Sequence, residues 1–323
     1  MSAAPSALPV RAPRRAGDRI ADVLFHGATL VPALAALALV LAIAWKVADG
    51  SRLAFHKFGL GFVTSAAWDP VKGVFGARDF ILGTAFTSMI ALVLATPIAI
   101  AIGLYLSELA PRGVRDVIGA LVELLAAIPS VVVGLWGILV LGPFLARHLD
   151  PVLQSALGWT PFFKGDIPAA GTGMLTAAVV LTIMVVPIVA SISRELFQSV
   201  PRELEEGALA LGLTRWEMVR GVVLPSARPG IAAAVILGLG RAVGEAIAVT
   251  QVIGGFSGFS LSLFKPGDTL ASRIASQYQG AATDLQVSAL VYLAAILLAI
   301  SLVVNLLAQV IVRRFEFQRT GGT

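Results

Sequence analysis

A chain of 323 residues that is 57% hydrophobic and 13% charged, with a mean hydropathy of +0.89, is too apolar for a soluble domain; it fits an all-α, polytopic membrane protein. Its net charge of +5 and isoelectric point near 10.0 do not signal a nucleic-acid binder, because the basic residues are scattered between apolar spans facing a lipid bilayer. The absence of cysteine excludes disulfides and thiolate metal sites.

Residues 1–27 are expected to form an N-terminal tail, since Arg11, Arg14, Arg15 and Arg19 stand among Ala and Pro in a composition that favours disorder. The first apolar span is expected at about 28–47. Ala42-Ile43-Ala44 imitates a signal-peptide cleavage site, but the apolar run is longer than such a region needs, so the span is read as uncleaved. In the loop that follows, to residue 79, Lys46, Arg52, Lys57, Lys72 and Arg78 mix with Phe55, Phe58, Phe62, Trp68 and Phe75. Aromatic rings beside basic residues suit a membrane interface or a partner surface.

Further spans are expected near 80–106, 117–145, 172–192, 231–253 and 287–312. Each has about 20 residues or more, enough to cross a hydrocarbon core of ~30 Å at about 1.5 Å per residue. The third carries Glu123 near its start, where a helix dipole favours a carboxylate, and Pro129, which invites a kink. Glu123 is read as structural or gating, with Pro129 beside it.

Between the fourth and fifth spans lies a polar loop, 194–228, in which five Arg and five Glu cancel. Pro201 suits a first helical turn, Glu203, Glu205 and Glu206 suit its dipole, and Gly212 supplies a left-handed stop. Thr214 and Glu217 have capping-box spacing, Leu213 is placed as a staple, and Pro225 is expected to end the second helix after Leu224. The pattern is a helical hairpin suited to docking on a protein.

The fifth span holds Arg241 and Glu245 near its middle, where an ionised side chain costs about 3 kcal/mol on insertion scales. They must face protein or water. Four residues apart on one helix, they can neutralise each other, and a guanidinium there can also present two parallel donors to an oxyanion. Two readings stay open: a pathway for an anion, or an ion pair that locks helices together.

The loop 254–286 is rich in Gly and Ser and could form a lid. After the sixth span, 313–323 is a short C-terminal tail. With both termini cytoplasmic, fourteen Lys and Arg fall inside and nine outside, which agrees with the positive-inside rule. His26, His56 and His148 lack any metal-site spacing.

Glu206-Gly207-Ala208, three residues, Gly212, nine residues and Val222-Val223-Leu224-Pro225 resemble the EAA loop of bacterial ABC-importer permeases. Gly207 and Val222 are its departures; Gly212, Leu224 and Pro225 fall in register. The run from Glu123 to Gly137, the run GLGRAVGEAIAVT (238–250) and the segment FVTSAAWDPVKGVFGA (62–77) resemble the C-type permease subunit of phosphate-specific importers.

This resemblance implies a type I ABC importer permease fold with six transmembrane helices, the core spanning 80–312, in a bacterial inner membrane. It implies inorganic phosphate as substrate, with Arg241 and Glu245 in its passage. It implies four kinds of protein component: this chain, a related A-type permease, two copies of a cytoplasmic ATPase and a periplasmic phosphate-binding protein. ATP and Mg would sit on the ATPase, this chain carrying no cofactor. No lysine follows a glycine, so a P-loop is excluded here. Competing readings are a permease for sulfate or molybdate, and an ion-coupled secondary carrier.

Overall fold

Apolar runs can satisfy their backbone groups inside a bilayer only as helices or closed barrels, and here they are helices. A computed structural model describes residues 16–320. Among them, six helical stretches are long and apolar enough to cross a membrane: Leu24–Gly50, Arg78–Leu109, Ser130–Leu157, Met174–Gln198, Arg215–Gly244 and Asp284–Leu307. The expected count of six holds, while the boundaries move at the third and fifth.

The chain divides into two units after Asp49. The first holds helix α1 (Ala16–Gly50) to its last residue but one. The tail expected at 1–27 lies outside the described residues up to residue 15, and helix already covers its remainder.

The second unit opens with α2 (Arg52–Phe58), α3 (Gly61–Thr64) and a two-stranded antiparallel ribbon, β1 (Trp68–Asp69) with β2 (Val74–Phe75), Trp68 facing Phe75. Phe62, Phe75 and Phe80 are buried here with Leu270, Leu290 and Leu293, and Tyr292 stacks on Phe62 at 4.4 Å. This corrects the expectation of aromatics laid on a membrane or partner surface for Phe62 and Phe75, while Phe55 stays exposed. Rings this large bury more favourably against one another than against water, and they build a cap with its own core.

Helix α4 (Arg78–Leu104) continues through a wide turn to Leu109, and α5 (Arg112–Ala127) follows. The third span is not 117–145. Ile128 adopts an extended conformation before Pro129, as a residue preceding proline prefers, and helix restarts at α6 (Ser130–Trp136). It runs on through wide turns, α7 (Gly142–Phe144) and α8 (Asp150–Leu157). Pro129 therefore separates an amphipathic helix from a membrane-length one, rather than kinking a single span.

Helix α9 (Met174–Gln198) is the centre of the unit, packed along α4. Ala91, Ala95 and Ala99 recur every fourth residue on the buried face of α4, and such small residues let two backbones come close. After α10 (Arg202–Ala210), α11 (Arg215–Met218) passes through a wide turn directly into α12 (Leu224–Gly244). Pro225 thus stands at the start of α12, directly after the wide turn Val219–Val223, and ends nothing. The fifth span is the continuous rod Arg215–Gly244 rather than 231–253.

Helix α13 (Ile247–Val252), α14 (Leu270–Gln277) and α15 (Asp284–Thr320) complete the chain, so helix continues into the expected C-terminal tail. The Gly- and Ser-rich segment between α13 and α14 is tied down: Asp79 accepts from the Phe259 N–H at 3.2 Å, and Gly267 donates to the Ile253 carbonyl at 3.1 Å. Arg273 pairs with Asp268 at 2.8 Å, both buried, and its guanidinium lies 4.7 Å from the Phe80 ring centroid. The cap and the polar hairpin sit at opposite ends of α4, whose Phe80 belongs to the first and whose Ile100 and Leu104 pack on the second.

Candidate functional site

The hairpin is built as its residues demand. Gly212 takes φ +87°, the Leu213 N–H returns to the Ala208 carbonyl at 3.3 Å, and the Gly212 N–H returns to the Leu209 carbonyl at 3.0 Å. That pair of bonds is a Schellman closure of α10. Thr214 then caps α11. Its Oγ1 accepts from the Glu217 N–H at 3.3 Å, while Glu217 Oε2 accepts from the Thr214 N–H at 2.8 Å.

Leu213 is partly buried against Phe197, Met218 and Val223, which fixes the hairpin to the ends of α9 and α12. Glu206 and Gly207 face solvent, whereas Ala208 is buried. Leu211 at 84% exposure and Trp216 at 66% stand out from an otherwise polar tip.

Arg241 occupies the last turn of α12 and borders a cavity of about 300 Å³. The wall is apolar: Leu125, Ala126 and Ile128 from the end of α5, Val132, Val133 and Trp136 from α6, Ile183 and Met184 from α9. Among the described residues, no ion pair or hydrogen bond reaches the Arg241 side chain. A cation with five donors and no acceptor, at the edge of an apolar cavity, has the chemistry to hold a multi-oxygen anion.

Glu245 does not share a helix face with Arg241. The helix ends at Gly244, Glu245 is extended (φ −71°, ψ 117°), and its Oε1 accepts from the Ala248 N–H at 3.3 Å at the start of α13. This corrects the expected neutralisation across one turn: a break in the helix redirects the carboxylate to cap the next segment.

Glu123 lies on α5 outside the membrane-length helices, and its Oε1 is 3.8 Å from Arg194 Nη1 on α9. Sequence reading counted Arg194 only among the hairpin charges; nothing local marks the contact. Pro129 begins α6 at the edge of the same cavity wall.

The family model described as "Binding-protein-dependent transport system inner membrane component" matches residues 95–317. A protein of Mesorhizobium japonicum named phosphate transport system permease protein PstC is 42% identical, covering 100% of both chains. A protein of the same name from Haemophilus influenzae is 41% identical over 91% of this chain and 94% of its own. Among solved structures, a bacterial ABC transporter involved in the import of the acidic polysaccharide alginate superposes with a TM-score of 0.59 at 19% identity, covering 90% of this chain and 98% of its own.

Proposed function

The chain belongs to the binding-protein-dependent transport system inner membrane component family, in its PstC branch, and from that premise we propose that it is the transmembrane permease subunit of an ATP-driven importer of inorganic phosphate. The observation that carries this reading is the full-length match to phosphate permeases. The chemistry at Arg241 supports it, since a guanidinium fork suits two phosphate oxygens and binds them without a metal.

A multi-pass inner-membrane protein with an exposed cation in a span needs a second surface over that cation, because hydrocarbon will not accept it. We assign that place to a related A-type permease, so that each chain supplies half of the path. Arg241 holds the anion as it crosses. Glu245, fixed by the α13 backbone rather than by Arg241, keeps the anion from binding too tightly to leave.

The hairpin is assigned as the docking element for an ATPase, two copies serving two permeases, with Leu211 and Trp216 entering the ATPase surface around Glu206, Gly207, Ala208 and Gly212. ATP and Mg belong to that partner. A periplasmic phosphate-binding protein delivers substrate at the cap end, and both termini lie with the hairpin on the cytoplasmic side. ATP binding draws the hairpins together and opens the path outward; hydrolysis resets it.

The test is uptake of radiolabelled phosphate, sulfate and molybdate into proteoliposomes holding the complete complex. Phosphate uptake that requires ATP, the ATPase and the binding protein is the expected result. Uptake by this chain alone under a proton gradient would make it a secondary carrier, and preference for sulfate or molybdate would reassign the substrate.

A further inference from the structure

Helix α2 is fastened to the first turns of α15, a helix of membrane length that begins at Asp284 and turns apolar from Val287. Ser288 Oγ accepts from the Ala54 N–H at 2.9 Å and donates to the Gly50 carbonyl at 2.8 Å. One turn further in, Tyr292 Oη donates to the Gly59 carbonyl at 3.2 Å. These bonds set the depth of α2 against a span: it lies at the boundary of the bilayer, not out in water.

Along that axis the two flanks of α2 differ. On the side of Asp284, Lys57 Nζ donates to the Gly73 carbonyl at 3.3 Å, and Gly73 stands beside the Leu285 side chain. On the deeper side, the Phe55 ring meets Tyr292 edge-on at 5.8 Å, and Leu60 directly follows the Gly59 that Tyr292 holds. Leu285 and Tyr292 are about 10 Å apart at helical rise. The cation is thus high and the apolar side chains low, across the roughly 5–10 Å in which an interfacial amphipathic helix beds itself.

Phe55 is 48% exposed and Leu60 76%, at the level where α15 is already apolar. Between Asp49 and Asp69 the sequence holds Arg52, His56 and Lys57 and no acid, and Asp69 is itself met by Lys72 at 3.4 Å. Basic groups above uncovered apolar ones complement an acidic headgroup above an acyl chain.

We propose that α2 and Leu60 form a binding surface for an anionic phospholipid. Phe55 and Leu60 enter the acyl region of the leaflet at the cap end, and Lys57 holds the headgroup. The surface does not depend on what the importer carries.

The test uses the complete complex in lipid nanodiscs, with a fluorophore on Leu60→Cys, since this chain has no cysteine of its own; background is read from the complex without that substitution. The quencher is phosphatidylglycerol or phosphatidylcholine spin-labelled near the carbonyl end of its acyl chain. Both lipids are expected to quench Leu60→Cys, and neither to quench Val71→Cys in the turn of the cap ribbon. Phosphatidylglycerol is expected to act at about a fivefold lower mole fraction, the gain from one lysine at an acidic surface. Lys57→Gln is expected to remove that preference and Lys57→Arg to keep it. Absence of quenching at Leu60→Cys would mean that a protein partner or water covers this face, and overturns the proposal. Equal quenching by the two lipids with Lys57 in place, or loss of the preference in Lys57→Arg as well as Lys57→Gln, overturns the headgroup site.

Discussion

Arg241 and Arg273 are both guanidiniums among apolar side chains, and their partners decide what each can do. Arg273 is closed by Asp268, so Arg273→Gln leaves a buried carboxylate uncompensated. Breaking such a pair costs about 3–5 kcal/mol. The expected outcome is a clear fall in melting temperature of the detergent-solubilised complex. Arg241 has no such partner, and its substitution should spare stability. Arg241→Lys keeps the charge and loses the fork; phosphate uptake is expected to fall at least about tenfold, equivalent to about 1.4 kcal/mol, with the complex still assembled. Native uptake in that variant would show that a point charge suffices.

At the scale of elements, the hairpin is where sequence and structure agree most closely. Capping box, staple and left-handed glycine are local devices, each readable from residues a few positions apart, and each is present. Thr214→Ala removes one capping acceptor, worth about 1 kcal/mol. Trp216→Ala removes an exposed ring whose loss at an interface costs roughly 2 kcal/mol, or about thirtyfold in affinity. Retention of the ATPase on the purified permease should fall in both, further for Trp216→Ala. Glu205, on the inner side of α10, is pushed above the usual carboxylate range, first by burial and then by the Glu108 carboxylate beside it. Its folded-state pKa is thus raised, so the destabilisation is absent below the unfolded pKa and complete above the folded one. Glu205→Gln is expected to raise the melting temperature slightly at neutral pH and not in acid.

Breaks were far less legible than devices. The apolar pattern runs through Ile128 and resumes after Glu245, so composition alone merges α5 with α6 and α12 with α13. Pro129 is the local mark of the first break, read from sequence as a kink; the second is tertiary, with α13 packed on α6 and α14. The same holds for the cap, where Phe62 and Tyr292 meet from distant parts of the chain, and for Arg194 against Glu123. A residue's charge is visible in sequence; the partner it meets in the fold is not.

For the whole molecule, the spans and their number follow from hydrophobicity and bilayer thickness, and the two ends of the second unit differ in what they offer. A chain without cysteine makes sidedness directly testable. Val71, at 97% exposure in the turn of the cap ribbon, and Leu211 at the hairpin tip lie at opposite ends. In intact cells an impermeant thiol reagent is expected to label Val71→Cys and not Leu211→Cys, and the order should reverse in inverted vesicles stripped of peripheral ATPase. Labelling of both from one side would place cap and hairpin in the same compartment.

The helical run from Arg215 through the wide turn at Val219–Val223 to Gly244 puts the hairpin tip and the Arg241 guanidinium on one continuous rod. From Arg215 to Arg241 is about 40 Å at helical rise, so a tilt of roughly 10° about either end swings the other by about 7 Å. That throw exceeds the diameter of a tetrahedral oxyanion, and the fracture at Glu245 lets the lever pivot while α13 stays bedded on α6. A tilt of that size would carry Arg241 from one side of a phosphate-sized anion to the other.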